Sequence, residues 1–199
     1  MKITSSRIGM VLLIVTSMLM IQYGIIHHIL KDSDDTNIII KQTKTSDTIM
    51  KIQPKLDPDV CILIAAAVDK YSKQYQLPSE LIISLIYRES SFKLIRTSKA
   101  SKNAPNGCNG LMQINPSAHP KKLKKLGVKN GNIYHIDINI QLGCMILKEY
   151  YDKTNDIEKA LTRYVGGSHP TYVKDILSRF ANLSIKKGDS KKEVIKKSK

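Results

Sequence analysis

The segment Leu81–Ser91 reads LIISLIYRESS and sets one acidic side chain against an apolar stripe. On an α-helix, Glu89 shares a face with Leu85 and Ile86 at i−4 and i−3, and with Ile82 at i−7. A carboxyl at the edge of that stripe, in the last turn of its helix, meets two effects. Desolvation disfavours its anion, and the negative end of the helix dipole acts the same way, so both raise its pKa. A carboxylic acid kept protonated near neutral pH is what protonation of a glycosidic oxygen requires. The same spacing also fits a structural Glu89 paired with Arg88 or Arg96. The second informative segment is Gly110–Leu111–Met112–Gln113, followed by Ile114–Asn115–Pro116. Glycine allows close backbone approach, methionine forms an adaptable apolar wall, and glutamine both donates and accepts. That set suits a groove for a sugar carrying N-acetyl groups; taken alone, it fits an ordinary loop-to-helix junction as well.

No Asp or Glu occurs between Glu89 and Asp137. An ordinary glycosidase uses two carboxylates, ~5–5.5 Å apart when retaining and ~6.5–9.5 Å apart when inverting. The neighbourhood of Glu89 supplies no second one, although folding can bring one from afar, so a one-acid mechanism is favoured. The chain has three cysteines, Cys61, Cys108 and Cys144, with no C-x-x-C pair among them. A zinc site is therefore not expected, and no cofactor is implied. In an oxidising compartment one disulfide and one free thiol can form. Cys108 lies two residues before Gly110, and Cys144 follows Gly143, where close helix approach is suggested. Cys108–Cys144 is the expected pair, with Cys61–Cys144 the runner-up; closing such a loop stabilises by ~3–4 kcal/mol when unstrained.

The elements that must position these residues read as helices. Asp57 and Asp59 precede an amphipathic stretch from Val60 to Tyr75. Pro78 breaks it, Ser79 is a good N-cap, and Glu80 sits favourably in the next first turn. Further helices are predicted near His119–Leu126, Ile138–Tyr151, Ile157–Tyr164 and Tyr172–Leu183, with a polar loop at 93–110. Strand alternation is hardly visible, so the fold class is mostly α.

The 199 residues suffice for one ordinary domain with appendages. Residues 57–183 read as that domain, 32–56 as a linker, and 184–199 as a Lys-rich, frayed tail. Residues 1–31 read as a signal anchor or signal peptide. Lys2 and Arg7 precede an apolar run over residues 8–30, of which Ile8–Ile21 alone could form a signal core. The whole run approaches the ~20 residues of a membrane span, and no A-x-A site follows it. The positive flank stays inside, so the domain is expected to be exported and periplasmic, held at the inner membrane by the N-terminal helix. The net charge of +15 gives a basic surface that suits a polyanion. Aromatic interleaving is poor around the Lys121–Lys125 cluster, so a nucleic-acid partner is not expected.

In order, Glu89–Ser90–Ser91–Phe92, Ser98, Gly110–Gln113, Asp137, Asn139–Ile140, Gly143, Leu147, Ala160–Leu161 and Tyr164 resemble the soluble lytic transglycosylase domain of the lysozyme superfamily. The likeness covers about residues 57–180, and small secretion-associated members are nearest in size. It implies a lysozyme-like (goose-type/transglycosylase) helical domain that acts on the glycan strands of peptidoglycan, with a secretion apparatus as a candidate partner. It makes Glu89 the catalytic residue and Ser90, Ser98, Gly110, Leu111, Met112, Gln113 and Tyr164 substrate contacts. It also implies a lyase outcome, cleavage of the MurNAc–GlcNAc bond with a 1,6-anhydro product. A lysozyme-type hydrolase and a non-catalytic anchored wall-binding module are the alternatives. Two departures weaken substrate positioning: Val165 stands where the family commonly has Asn, and Lys93–Leu94 where it has Asn-Pro.

Overall fold

The computed structural model describes residues 44–95, 107–129 and 132–197, with side chains to residue 185. The apolar run over residues 8–30 lies outside them, and no described helix is long and apolar enough to cross a membrane. Helix α1 spans residues 44–52. It is followed by α2 (Pro58–Tyr75), α3 (Ser79–Ser90), α4 (Pro120–Lys125), α5 (Ile136–Thr154), α6 (Ile157–Val165) and α7 (Pro170–Lys197). Among the described residues the only extended pairing is an isolated bridge between Asn109 and Ile114, in keeping with a mostly helical fold.

Local chemistry sets the helix ends. The Asp57 carboxylate accepts from the Asp59 and Val60 amides at 3.0 and 3.1 Å, with Pro58 preorganised at the first helical position of α2. Asp156 caps α6 in the same way, from the Glu158 and Lys159 amides. Gln76 and Asn155 end α2 and α5 in the left-handed conformation. The cap expected at Ser79 is not formed: Pro78 precedes α3 without a side-chain cap bond, and Ser79 donates to Glu80 instead. The buried faces follow helical periodicity, Cys61, Ile64, Ala65, Val68 and Tyr71 on α2, and Ile140, Gly143, Cys144 and Leu147 on α5. The main packing partners are α5 with α2 and α6, and α3 with α7.

Two boundaries differ from expectation. The stretch 32–56 is not linker throughout, because 44–52 is the helix α1 and its Ile49 is fully buried in the core. Thr45 Oγ1 donates to Asp69 at 2.9 Å, and the Cys61 thiol to the Ser46 carbonyl at 3.4 Å. Three apolar residues, Ile49, Met50 and Ile52, are too few for a legible amphipathic pattern, and burial against the domain supplies what periodicity lacks. The tail 184–199 is also not frayed from its start, since the α7 backbone continues to Lys197. That segment contains no proline to stop it and is rich in lysine, a good helix former.

An ion pair ties the short α4 to α5. Lys122 and Lys153 both engage Glu149 and hold its carboxyl down at about 2. A depressed carboxylate contributes stability above its unfolded value of 4.5 and loses it as pH falls toward about 2. Because Glu149 is partly exposed, screening limits the effect to about 1 kcal/mol or less. Melting temperatures of wild type and Lys122→Ala are therefore expected to differ at pH 6 and to converge by about pH 2.

Candidate active site

Glu89 is the penultimate residue of α3. Ile82, Leu85 and Ile86 on its face are fully buried, and Glu89 itself is half-buried, at the border the periodicity predicts. The chain turns sharply behind it. Ser91 closes α3 in the left-handed region (φ 51°), its amide bonded to the Tyr87 carbonyl at 2.9 Å. Phe92 follows with φ 62°, which is costly for a bulky residue. Its ring compensates by near-complete burial, edge-on to Tyr87 with centroids 6.2 Å apart.

The carboxyl meets α7 directly. Tyr172, 7% exposed in the first turn of α7, donates its hydroxyl to Glu89 Oε1. Burial, then the Glu89 charge, push the Tyr172 phenol well up, so it stays a neutral donor. Arg88 stacks over the Tyr172 ring at 5.1 Å and lies 3.5 Å from Asp175, so its guanidinium is drawn to α7. Arg96 lies outside the described residues. No sequence motif singles out Tyr172. It stands 83 positions from Glu89, and its only cue is an aromatic opening the last helix.

The segment 109–114 is a closed loop. Asn109 and Ile114 exchange two backbone hydrogen bonds of 2.9 Å each. Gly110 (φ 78°) and Gln113 (φ 48°) turn the four residues between them, and Gln113 Nε2 donates to the Gly110 carbonyl at 2.8 Å. Helix α5 holds this loop through Asn139, which is fully buried. Its Oδ1 accepts from the Met112 amide at 2.8 Å, while Nδ2 donates to the carbonyls of Asn109 (3.0 Å) and Ile133 (2.7 Å). A Cβ on Gly110 would sit 2.2 Å from Asn139 Nδ2, and one on Gly143 2.3 Å from Met112 Sδ, so both glycines are required by close approach. Tyr164 on α6 donates to the Met112 carbonyl at 2.8 Å, and burial, then the Glu89 charge, raise its phenol. Tyr172 thus joins α7 to the carboxyl, and Tyr164 joins α6 to the loop.

The Transglycosylase SLT domain family matches residues 66–181, more than half of the chain. The chain belongs to the SLT family. A transglycosylase of Enterobacteria phage PRD1 is 35% identical over 98 residues, which is 49% of this chain and 32% of that protein. Two solved structures are also similar. One is an inactive mutant of lytic transglycosylase Slt from Pseudomonas aeruginosa, with 24% identity and a TM-score of 0.45 over 55% of this chain and 17% of that one. The other is the 70-kDa soluble lytic transglycosylase in complex with bulgecin A, with 20% identity and a TM-score of 0.45 over 70% and 25%. The matched part spans a third or less of each of these relatives.

Within this SLT domain the expected substrate contacts divide. Ser90 is fully buried and donates to the Ile86 carbonyl at 3.2 Å, so it is part of the helix interior and not of a groove. Leu111 and Met112 are likewise fully buried and form the inner wall behind the loop. Gly110 is buried under Asn139. Gln113 is half-exposed, and Tyr164 keeps a half-exposed ring while its hydroxyl turns inward. Val165 ends α6 half-buried against the core. Ser98 lies outside the described residues.

No disulfide joins the three cysteines, so the pair expected at Cys108–Cys144 is not formed. Cys61, of the runner-up pair, points to α1. Cys144 is buried in apolar surroundings that push its thiol well up, and a thiol held neutral is a poor nucleophile for disulfide formation.

Proposed function

We propose that the protein is a peptidoglycan lytic transglycosylase with Glu89 as its one acid/base. The observation that carries this reading is a half-buried carboxyl at the end of α3, gripped by a buried phenol inside an SLT domain. Tyr172 holds Oε1, and the other oxygen carries the proton that is delivered to the bond between N-acetylmuramic acid and N-acetylglucosamine. The muramyl N-acetyl oxygen assists at the anomeric carbon as that bond breaks. Glu89, now a carboxylate, takes the proton of the sugar's own C6 hydroxyl. The C6 oxygen closes on the anomeric carbon, giving a 1,6-anhydro end, and Glu89 is protonated again. This reading uses a single carboxylate; the next one along the chain, Asp137, is engaged by Tyr71 at 2.6 Å and Lys70 at 3.0 Å. Gln113 and the Tyr164 ring are the groove contacts of this reading.

Digestion of purified sacculi, read by mass spectrometry, tests it. Products one water lighter than hydrolysis products are expected, reducing ends would indicate a lysozyme-type hydrolase, and no release would indicate a binding module. Tyr172→Phe is expected to lower kcat by roughly 10-fold, the worth of one hydrogen bond to a charged group. Export with retention at the inner membrane through residues 8–30 completes the proposal. Carbonate-resistant membrane association is its expected sign, and a soluble mature form starting near residue 24–30 would replace the anchor by a cleaved signal.

A further inference from the structure

The family match begins at residue 66, so α1 and the turn after it lie upstream of the matched domain. They nevertheless reach the site. Gln53, immediately after α1, sends its side-chain Nε2 to the backbone carbonyl of Ser91 at 3.3 Å. Ser91 is two residues beyond Glu89, and its carbonyl lies past the end of α3, where helical hydrogen bonding has run out. A donor placed there satisfies the carbonyl and restrains the two left-handed residues, Ser91 and Phe92, on which the turn depends. Gln53 is itself well seated. Its amide bonds to the Ile49 carbonyl at 2.8 Å, and Ile49 is fully buried, so the side chain projects from a fixed base.

We propose that Gln53 is a positioning residue for Glu89, and that α1 is a brace that holds the last turn of α3. Tyr172 fixes the carboxyl, while Gln53 fixes the backbone that carries it. Helix ends open locally at low free-energy cost, and a small displacement of an acid from its reacting atom is expensive in rate. Other contacts of α1, from Thr45 and Ser46 to α2, attach the brace without touching the turn.

The role rests on Glu89 being the acid/base, and the test separates the two ideas. Gln53→Met keeps the length and packing of the side chain but removes the donor. In the full chain, kcat on soluble glycan strands is expected to fall roughly 10-fold with KM within about twofold, since the interaction acts on the acid and not on substrate. Gln53→Lys restores a donor of similar reach and is expected to recover most of the rate. Independently of activity, amide exchange at Lys93, whose N–H bonds to the Ser90 carbonyl at 3.1 Å within the same turn, is expected to speed by roughly 10-fold in Gln53→Met. Lys51→Met, on α1 but outside these contacts, should leave exchange there unchanged. Wild-type kcat and wild-type exchange in Gln53→Met would overturn the positioning role. Inactive wild type would instead overturn the function assigned to Glu89, with the exchange measurement still deciding whether Gln53 braces the turn.

Discussion

Glu89→Gln is expected to lower muropeptide release by roughly 10²–10⁴-fold or more, with a melting temperature within about 4 °C of wild type. General acid/base assistance has that range for one proton transfer, and here the same side chain performs two in succession, so the loss falls at the upper end. Glutamine keeps the length of the side chain and an oxygen for the Tyr172 hydroxyl, which is the contact that the fold makes with Oε1. A neutral amide is also cheaper to hold half-buried than a carboxylate. The variant therefore separates chemistry from folding. Wild type should act with Glu89 protonated, its activity falling as pH rises through the titration of that group, while residual activity of the variant should lack this limb. Unchanged release from sacculi by a well-folded Glu89→Gln protein would end the assignment.

The second large effect concerns the buried amide that holds the loop. Asn139→Ala leaves the Met112 N–H and the Ile133 carbonyl without this partner, while the Asn109 carbonyl keeps its bond from the Ile114 amide. Each buried unsatisfied group costs about 1–3 kcal/mol, so a total loss of roughly 3–5 kcal/mol is expected after partial relaxation. That is a large part of the ~5–15 kcal/mol that stabilises an ordinary domain, and it corresponds to a fall of roughly 10 °C in melting temperature. Activity should fall with it even well below the melting point. The loop that presents Gln113 is closed on one side by Asn139 and on the other by Tyr164, and Tyr164 also lies within electrostatic reach of Glu89. Thermal unfolding and sacculus digestion at 20 °C check both effects. A variant that kept both wild-type values would show that the loop is held by its own backbone pairing at Asn109 and Ile114 alone.

The sequence alone determined helices α2 to α7 and the place of the acid on α3. Apolar side chains at i−3, i−4 and i−7 put Glu89 at the edge of a buried stripe, and that follows from helical geometry whatever packs against it. Caps such as Asp57 and breaks such as Pro78 act within a few residues, so helix boundaries could be read nearby. The ordered motifs from Glu89 to Tyr164 indicated the family. What sequence left open depended on partners far along the chain. Ser90, Leu111 and Met112 belong to motifs at the site, yet the direction a turn's side chains take is decided by which helix lies behind it. Here Gly143 and Asn139 of α5 draw the loop inward until two of its residues join the core. Helix α1 carries too little apolar surface to announce itself and is helical because Ile49 finds a place among the other helices. Tyr172 and Gln53 have no local signature, since a single hydrogen bond across 83 or 38 residues leaves no periodicity in the chain. Short-range steric and capping preferences are written in neighbouring residues, whereas the grip on Glu89 comes from contacts that exist only once α1, α3 and α7 have packed together.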